Sequence, residues 1–85
     1  MERALNISMM KYIIYMRLLD EGTDVFRPVP ALELGNSIYK IEGYDIYNPE
    51  DEVWEFPPGS YVVVEEQLRE GTSVLIAVKS GGVLE

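Results

Sequence analysis

Lys11-Tyr12-Ile13-Ile14-Tyr15-Met16-Arg17-Leu18-Leu19-Asp20-Glu21-Gly22-Thr23-Asp24-Val25-Phe26-Arg27-Pro28-Val29 reads as a strand, a tight turn and the start of a second strand. Successive side chains of an extended chain point to opposite faces. Tyr12, Ile14, Met16 and Leu18 therefore share one face, the core face, while Lys11 and Arg17 mark the other as solvated. Ile13 and Tyr15 lie on that outer face as well. Asp20-Glu21-Gly22-Thr23 supplies turn residues, and the chain resumes an extended course over residues 25–34. Pro28 and Pro30 cannot donate ladder hydrogen bonds, so this second segment is expected at a sheet edge or leaving the sheet.

Outward from this unit, runs rich in Val, Ile, Tyr and Phe alternate with clusters of Gly, Pro, Asn and Asp, about every 8–12 residues, the spacing of a sandwich or small barrel. Six strands are expected, over residues 11–19, 25–34, 37–47, 53–56, 61–68 and 73–79. In the third, Tyr39 and Ile41 give way to Tyr44 and Ile46 across Gly43, a phase shift expected of a β-bulge. The last two form a hairpin around Arg69-Glu70-Gly71-Thr72, with Val62, Val64, Val74, Ile76 and Val78 as core contributors. No segment reads as a significant helix. The expected class is all-β, a small SH3-like barrel of five or six strands, since closure removes aggregation-prone edges. An OB-fold matches less well: it commonly places a helix between its third and fourth strands, where this chain has only the loop at Asn48.

Eighty-five residues suit one domain with one modest core. Hydrophobic content of 47%, with six tyrosines, two phenylalanines and one tryptophan, is enough to fold. Neither cysteine nor histidine occurs, so no disulfide or Cys/His zinc site staples the domain, and stability rests on packing, roughly 3–5 kcal/mol for a core of this size. Residues 1–9 are expected to be a flexible extension, with the Met9-Met10 pair leaving the natural start open, and residues 10–79 to be the domain. Residues 80–85 are expected to be a disordered tail, with Leu84-Glu85 resembling a cloning remnant.

The net charge of −8 argues against sequence-independent binding of nucleic acid, which depends on cations displacing counterions from phosphates. The seven cations are dispersed along the chain at Arg3, Lys11, Arg17, Arg27, Lys40, Arg69 and Lys79. The same acidity disfavours an anionic membrane surface, and no apolar run approaches the roughly 20 residues that span a bilayer. The first eight residues lack the apolar core of a signal peptide, so the expected location is cytoplasmic.

Two stretches, Asp20-Glu21-Gly22-Thr23-Asp24-Val25-Phe26-Arg27-Pro28-Val29 and Trp54-Glu55-Phe56-Pro57-Pro58-Gly59-Ser60, resemble a family of small bacterial proteins of unknown function. The resemblance covers most of residues 12–78 and implies no activity. Likeness to eukaryotic peptide-binding SH3 domains is weak, because the paired tryptophans and the Ala-Leu-Tyr-Asp-Tyr type motif are missing.

Histidine and cysteine are the usual agents of acid-base, thiol and zinc chemistry, and their absence from the sequence points away from an enzyme. Glu50-Asp51-Glu52, with Asp45 and Asn48, could offer oxygen to a hard cation, but EF-hand spacing is missing and a solvated turn is expected, with no metal and no cofactor. Asp20, Glu21 and Asp24 bracket a glycine turn, and paired carboxylates can do glycosidase-type work across a cleft; here Asp20 and Asp24 are expected to serve the turn through side-chain to backbone hydrogen bonds. Arg27, in an otherwise apolar run, either pairs with Asp24, Glu55 or another carboxylate, or stacks on Trp54, or anchors a partner's carboxylate. Trp54 and Phe56 share one face, and Tyr15, Tyr44, Tyr47 and Tyr61 add aromatic surface of the kind that lines peptide grooves. A lone tryptophan in so small a domain is also the usual centre of the core.

The expected function is a non-enzymatic module that binds another protein, or a second copy of itself, through Ile13, Tyr15, Arg27, Tyr44, Tyr47 and Trp54. The alternative is a small-molecule-binding or accessory domain with a pocket at the barrel mouth. Single-stranded nucleic-acid binding on aromatic platforms fits the tyrosines but not the charge. Mixed-sequence single- and double-stranded oligonucleotides are predicted to show no measurable binding at physiological salt; micromolar affinity falling steeply with added salt would show that the cations converge in space.

Overall fold

The computed structural model describes residues 10–22 and 24–81. Six strands follow one another, β1 (Lys11–Leu19), β2 (Val25–Gly35), β3 (Ile38–Ile41), β4 (Val53–Trp54), β5 (Tyr61–Arg69) and β6 (Thr72–Ser80), and no helix occurs among the described residues. They form one sheet in the order β2-β3-β5-β6-β1-β4, and β2 also pairs with β1. Hydrogen bonding thus runs in a ring through β1, β2, β3, β5 and β6, with β4 appended to β1. All pairings are antiparallel except the β1–β6 seam, a parallel contact registered at Tyr15↔Ile76. Residues 1–9 and 82–85 lie outside the described residues, and with them the expected flexible extension and most of the expected tail. The ordered chain passes residue 79: β6 continues to Ser80, and the Gly81 N–H donates to the Tyr61 carbonyl at 2.6 Å.

The alternation in β1 fixes the inside of the ring. Ile14, Met16 and Leu18 are buried and Lys11, Ile13 and Arg17 are exposed, as the period of two requires. Across the ladder Ile14 faces Val29 and Tyr12 faces Ala31, so β2 contributes its odd-numbered side chains to the same interior. Tyr39 and Ile41 from β3, Val62 and Val64 from β5, Ala77 from β6 and Trp54 complete the core cluster. The proline problem in β2 resolves by position. The Glu42 N–H donates to the Pro30 carbonyl at 2.9 Å, which places the imino nitrogen of Pro30, and by the strand period that of Pro28, on the side away from β1. β3 pairs only with residues from Ala31 onward, so neither nitrogen is needed in a β2–β3 ladder.

Two hairpins set the register. Asn36-Ser37 (φ 55° and 65°) and Glu70-Gly71 (φ 53° and 82°) are two-residue loops with both central residues at positive φ, the type I′ pattern whose twist matches the flanking strands.

Three expectations need correction. The third strand ends at Ile41 rather than at residue 47, and Gly43 is not a bulge. It opens a turn in which its carbonyl accepts from the N–H groups of Ile46 and Tyr47, both at 3.0 Å. The phase shift from Ile41 to Tyr44 is the sequence trace of that turn. Strand four is two residues, although Glu55 N–H extends the contact to the Arg17 carbonyl at 2.9 Å. In β6 the inward residues are Leu75 and Ala77, whereas Val74, Ile76 and Val78 face outward. The β5–β6 register slips between Val63↔Lys79 and Val64↔Ala77, leaving Val78 as an extra residue that inverts the phase of everything before it.

Gly43 is the tightest point of the turn. A Cβ added there would stand 2.9 Å from Trp54 Cη2, on a backbone at φ 97°. Gly43→Ala is therefore predicted to destabilise the domain by about 2 kcal/mol or more, from backbone strain and overpacking together. Urea denaturation measures this, and an unchanged midpoint would show that the indole yields freely.

Candidate functional site

The six candidate binding residues separate into two groups and a singleton. Arg27, Tyr47 and Trp54 come together, but as structure. Trp54 is 1% exposed and sits in the core, so it is not a surface residue. Tyr47 packs its ring 4.6 Å from the indole, and the Arg27 guanidinium lies 5.9 Å from the indole centre. Arg27 sits opposite Met16 in the β1–β2 ladder, hence on the inward side of β2, with its side chain half-buried. Its partner is Glu52, whose Oε2 accepts from Arg27 Nη1 at 2.5 Å and from the Trp54 indole N–H at 3.4 Å. Glu52 is thus no member of a solvated acidic turn, as its sequence setting suggested. Asp24 pairs instead with Arg17 at 3.5 Å. The rest of the acidic loop behaves as a turn: Asn48 accepts from the Glu50 N–H through Oδ1 and from the Asp51 and Glu52 N–H groups through its carbonyl.

Tyr44 is the singleton, 63% exposed, with its hydroxyl against the backbone of Gly59.

Ile13 and Tyr15 form the second group, on the outer face of β1. Ile13 is 58% exposed, and Tyr15 is half-buried because it has neighbours the sequence did not reveal. Its cross-strand partners are Pro28 on β2 and Ile76 on β6. Tyr15, Phe26, Val74 and Ile76, with Arg69, Glu70 and Thr72 around them, line a groove of about 520 Å³. A smaller depression of about 180 Å³ adjoins it, sharing Phe26, Arg69 and Ile76 and adding Arg17, Glu55, Gln67, Ala77 and Val78. The Arg69 guanidinium lies 5.1 Å from the Phe26 ring centre and donates to Gln67 Oε1 at 3.1 Å, so it stands between the two. Beneath this arrangement Ile76 is only 4% exposed although it belongs to the outside of the ring.

Phe26, Arg69, Val74 and Ile76 were not among the sequence candidates. One signal was available: Val74-Leu75-Ile76-Ala77-Val78 is apolar on both faces, and a strand wet on one side has no need of that. The described residues bring together no group of three or more acidic side chains able to hold a metal ion.

The Arg27 hydrogen bond holds the Glu52 carboxyl below the usual carboxylate range, against the opposing effect of its burial and with help from the indole N–H. A carboxylate with a lowered folded-state pKa adds stability above its unfolded pKa of about 4.3, and that contribution is lost as pH falls through the folded value. Glu52→Gln is predicted to be less stable than the parent by about 1 kcal/mol at pH 7, with the difference vanishing as the pH drops below 4.3 toward acid. Chemical denaturation across pH 3 to 7 measures it; a pH-independent difference would mean the ion pair contributes nothing.

Comparison with protein families, with curated proteins and with solved structures finds no match to this chain, so the geometry of the outer groove is the ground on which a function can be argued.

Proposed function

We propose that the chain is a non-enzymatic protein-interaction module, an SH3-like small barrel in form, which docks another protein on the outer face of β1, β2 and β6. The observation that carries this reading is the apolar groove assembled from Tyr15, Phe26, Val74 and Ile76, continued on the same face by exposed Ile13. A ring of strands needs only its interior filled, and apolar side chains gathered outside it are the usual mark of an interaction surface. Tyrosine and arginine, both present at this groove, are enriched where binding energy concentrates.

Among the described residues the ion pairs are Arg27 with Glu52 and Arg17 with Asp24. The net charge of −8 weighs against nucleic acid and anionic membranes as the docked surface. A cytoplasmic location suits such a module. A pocket at the mouth of the ring receives less support, because Trp54 is a packed core side chain and Arg27 has its charge matched by Glu52.

Site-specific photo-crosslinking in extracts of the source cell tests the reading. A benzoylphenylalanine at Ile13 or Val74 is predicted to give discrete adducts with another protein, and the same probe at Tyr44 or Tyr61 to give few. Equal labelling at all four positions, or none in the groove, would remove the outer face from consideration.

A further inference from the structure

We infer that the outer groove takes an extended segment of another protein in which an apolar residue and a lysine or arginine stand two positions apart, on the same side of the strand. The apolar side chain seats on Tyr15, Val74 and Ile76, and the cation reaches Glu55 past Phe26. This rests on the interaction role proposed above and specifies the partner's chemistry.

Spacing is the first argument. The larger pocket is lined from β1 by Tyr15 and the smaller by Arg17; from β6 the larger takes Thr72, Val74 and Ile76 and the smaller Ile76, Ala77 and Val78. Along β1 the step is two residues, about 7 Å, which is also the distance between same-side side chains of an extended ligand. A segment lying along β1 would thus place one side chain in each pocket, over the Arg69–Phe26 stack that divides them.

Charge is the second. The cations of the groove are already engaged, Arg17 by Asp24 at 3.5 Å and Arg69 by Phe26 and Gln67. Among the described residues no ion pair engages Glu55 or Glu70, which line the pockets, or Glu65, which shares the face through its register with Ile76. A second copy of the chain would bring its own net charge of −8 against these carboxylates, whereas a basic segment complements them. The larger pocket has the apolar floor and the smaller one has Glu55, which sets the order of the two anchors.

Short synthetic peptides built on a Leu-Ser-Lys-Ser repeat (lysine-leucine), a Leu-Ser-Glu-Ser repeat (glutamate-leucine) and a Ser-Ser-Lys-Ser repeat (lysine-serine), which set the two anchors two positions apart, test this against the isotope-labelled chain by nuclear magnetic resonance at low salt. The lysine-leucine peptide is expected to bind at least about tenfold more tightly than the other two, to perturb the amides of Tyr15, Phe26 and Ile76, and to weaken on adding salt. Glu55→Lys with Glu70→Lys is expected to invert the order of the lysine-leucine and glutamate-leucine peptides. Glu55→Gln with Glu70→Gln, which adds no charge, is expected to bring the two within about twofold of each other. Equal binding of the lysine-leucine and glutamate-leucine peptides overturns the charge assignment. Equal binding of lysine-serine overturns the apolar anchor, and self-association that buries Ile13 and Tyr15 makes a second copy the occupant instead. The crosslinking result above stands apart from these: groove adducts without a preference for the basic peptide sink this inference alone.

Discussion

The burial of one indole governs how this chain can be arranged. Trp54 rides on a strand of two residues, too short to hold a position by its own ladder, and its ring reaches the core beside Leu18 of β1. Everything near it is shaped to that ring. Gly43 turns the chain where a Cβ would strike it, Tyr47 packs on it, and Arg27 is drawn inward over it with Glu52 to match the charge. The connection from β3 to β5, which carries no long strand, is ordered by these contacts. A side chain on the shortest element thereby tethers a stretch that periodicity alone leaves loose.

Much of the fold was legible because its signals are local. The alternation of Ile14, Met16 and Leu18, the turn residues at 20–23, and the Gly-containing hairpin between β5 and β6 each follow from a few neighbouring residues, and the structure has these strands where they were expected. Errors fell where a residue's face depends on a distant partner. Tyr44 and Ile46 alternate like a strand, yet they lie within the turn closed on the carbonyl of Gly43 and are exposed. Val74, Ile76 and Val78 have the right period for a core, but the extra residue at Val78 reverses the phase, and only pairing with β5 reveals it.

The candidate site was legible in half. Ile13 and Tyr15 could be assigned to the outer face of β1 from period alone, and that assignment agrees with the structure. Ile76 could not be added, because it reaches Tyr15 through a seam between the first and last strands, whereas Phe26 joins the same face across the local β1–β2 ladder, opposite Arg17. Arg27 and Trp54 attract notice as an arginine and a tryptophan should, but their chemistry is used internally. Burial next to a matched charge accounts for a conspicuous pair without any ligand.

The parallel seam between β1 and β6 has a temporal meaning. Its two strands come from opposite ends of the domain and meet in a register marked by Tyr15 and Ile76. Chain synthesis delivers β1 first, and the β1–β2 hairpin can pair as soon as it leaves the ribosome, since its contacts are local. The ring cannot close until the final strand has emerged. Throughout elongation, then, the outward row of Ile13 and Tyr15 waits beside an open edge, and any nascent chain stalled before residue 72 exposes both the interior and that row at once. Completion of the C-terminal hairpin is the event that closes the ring and covers its interior.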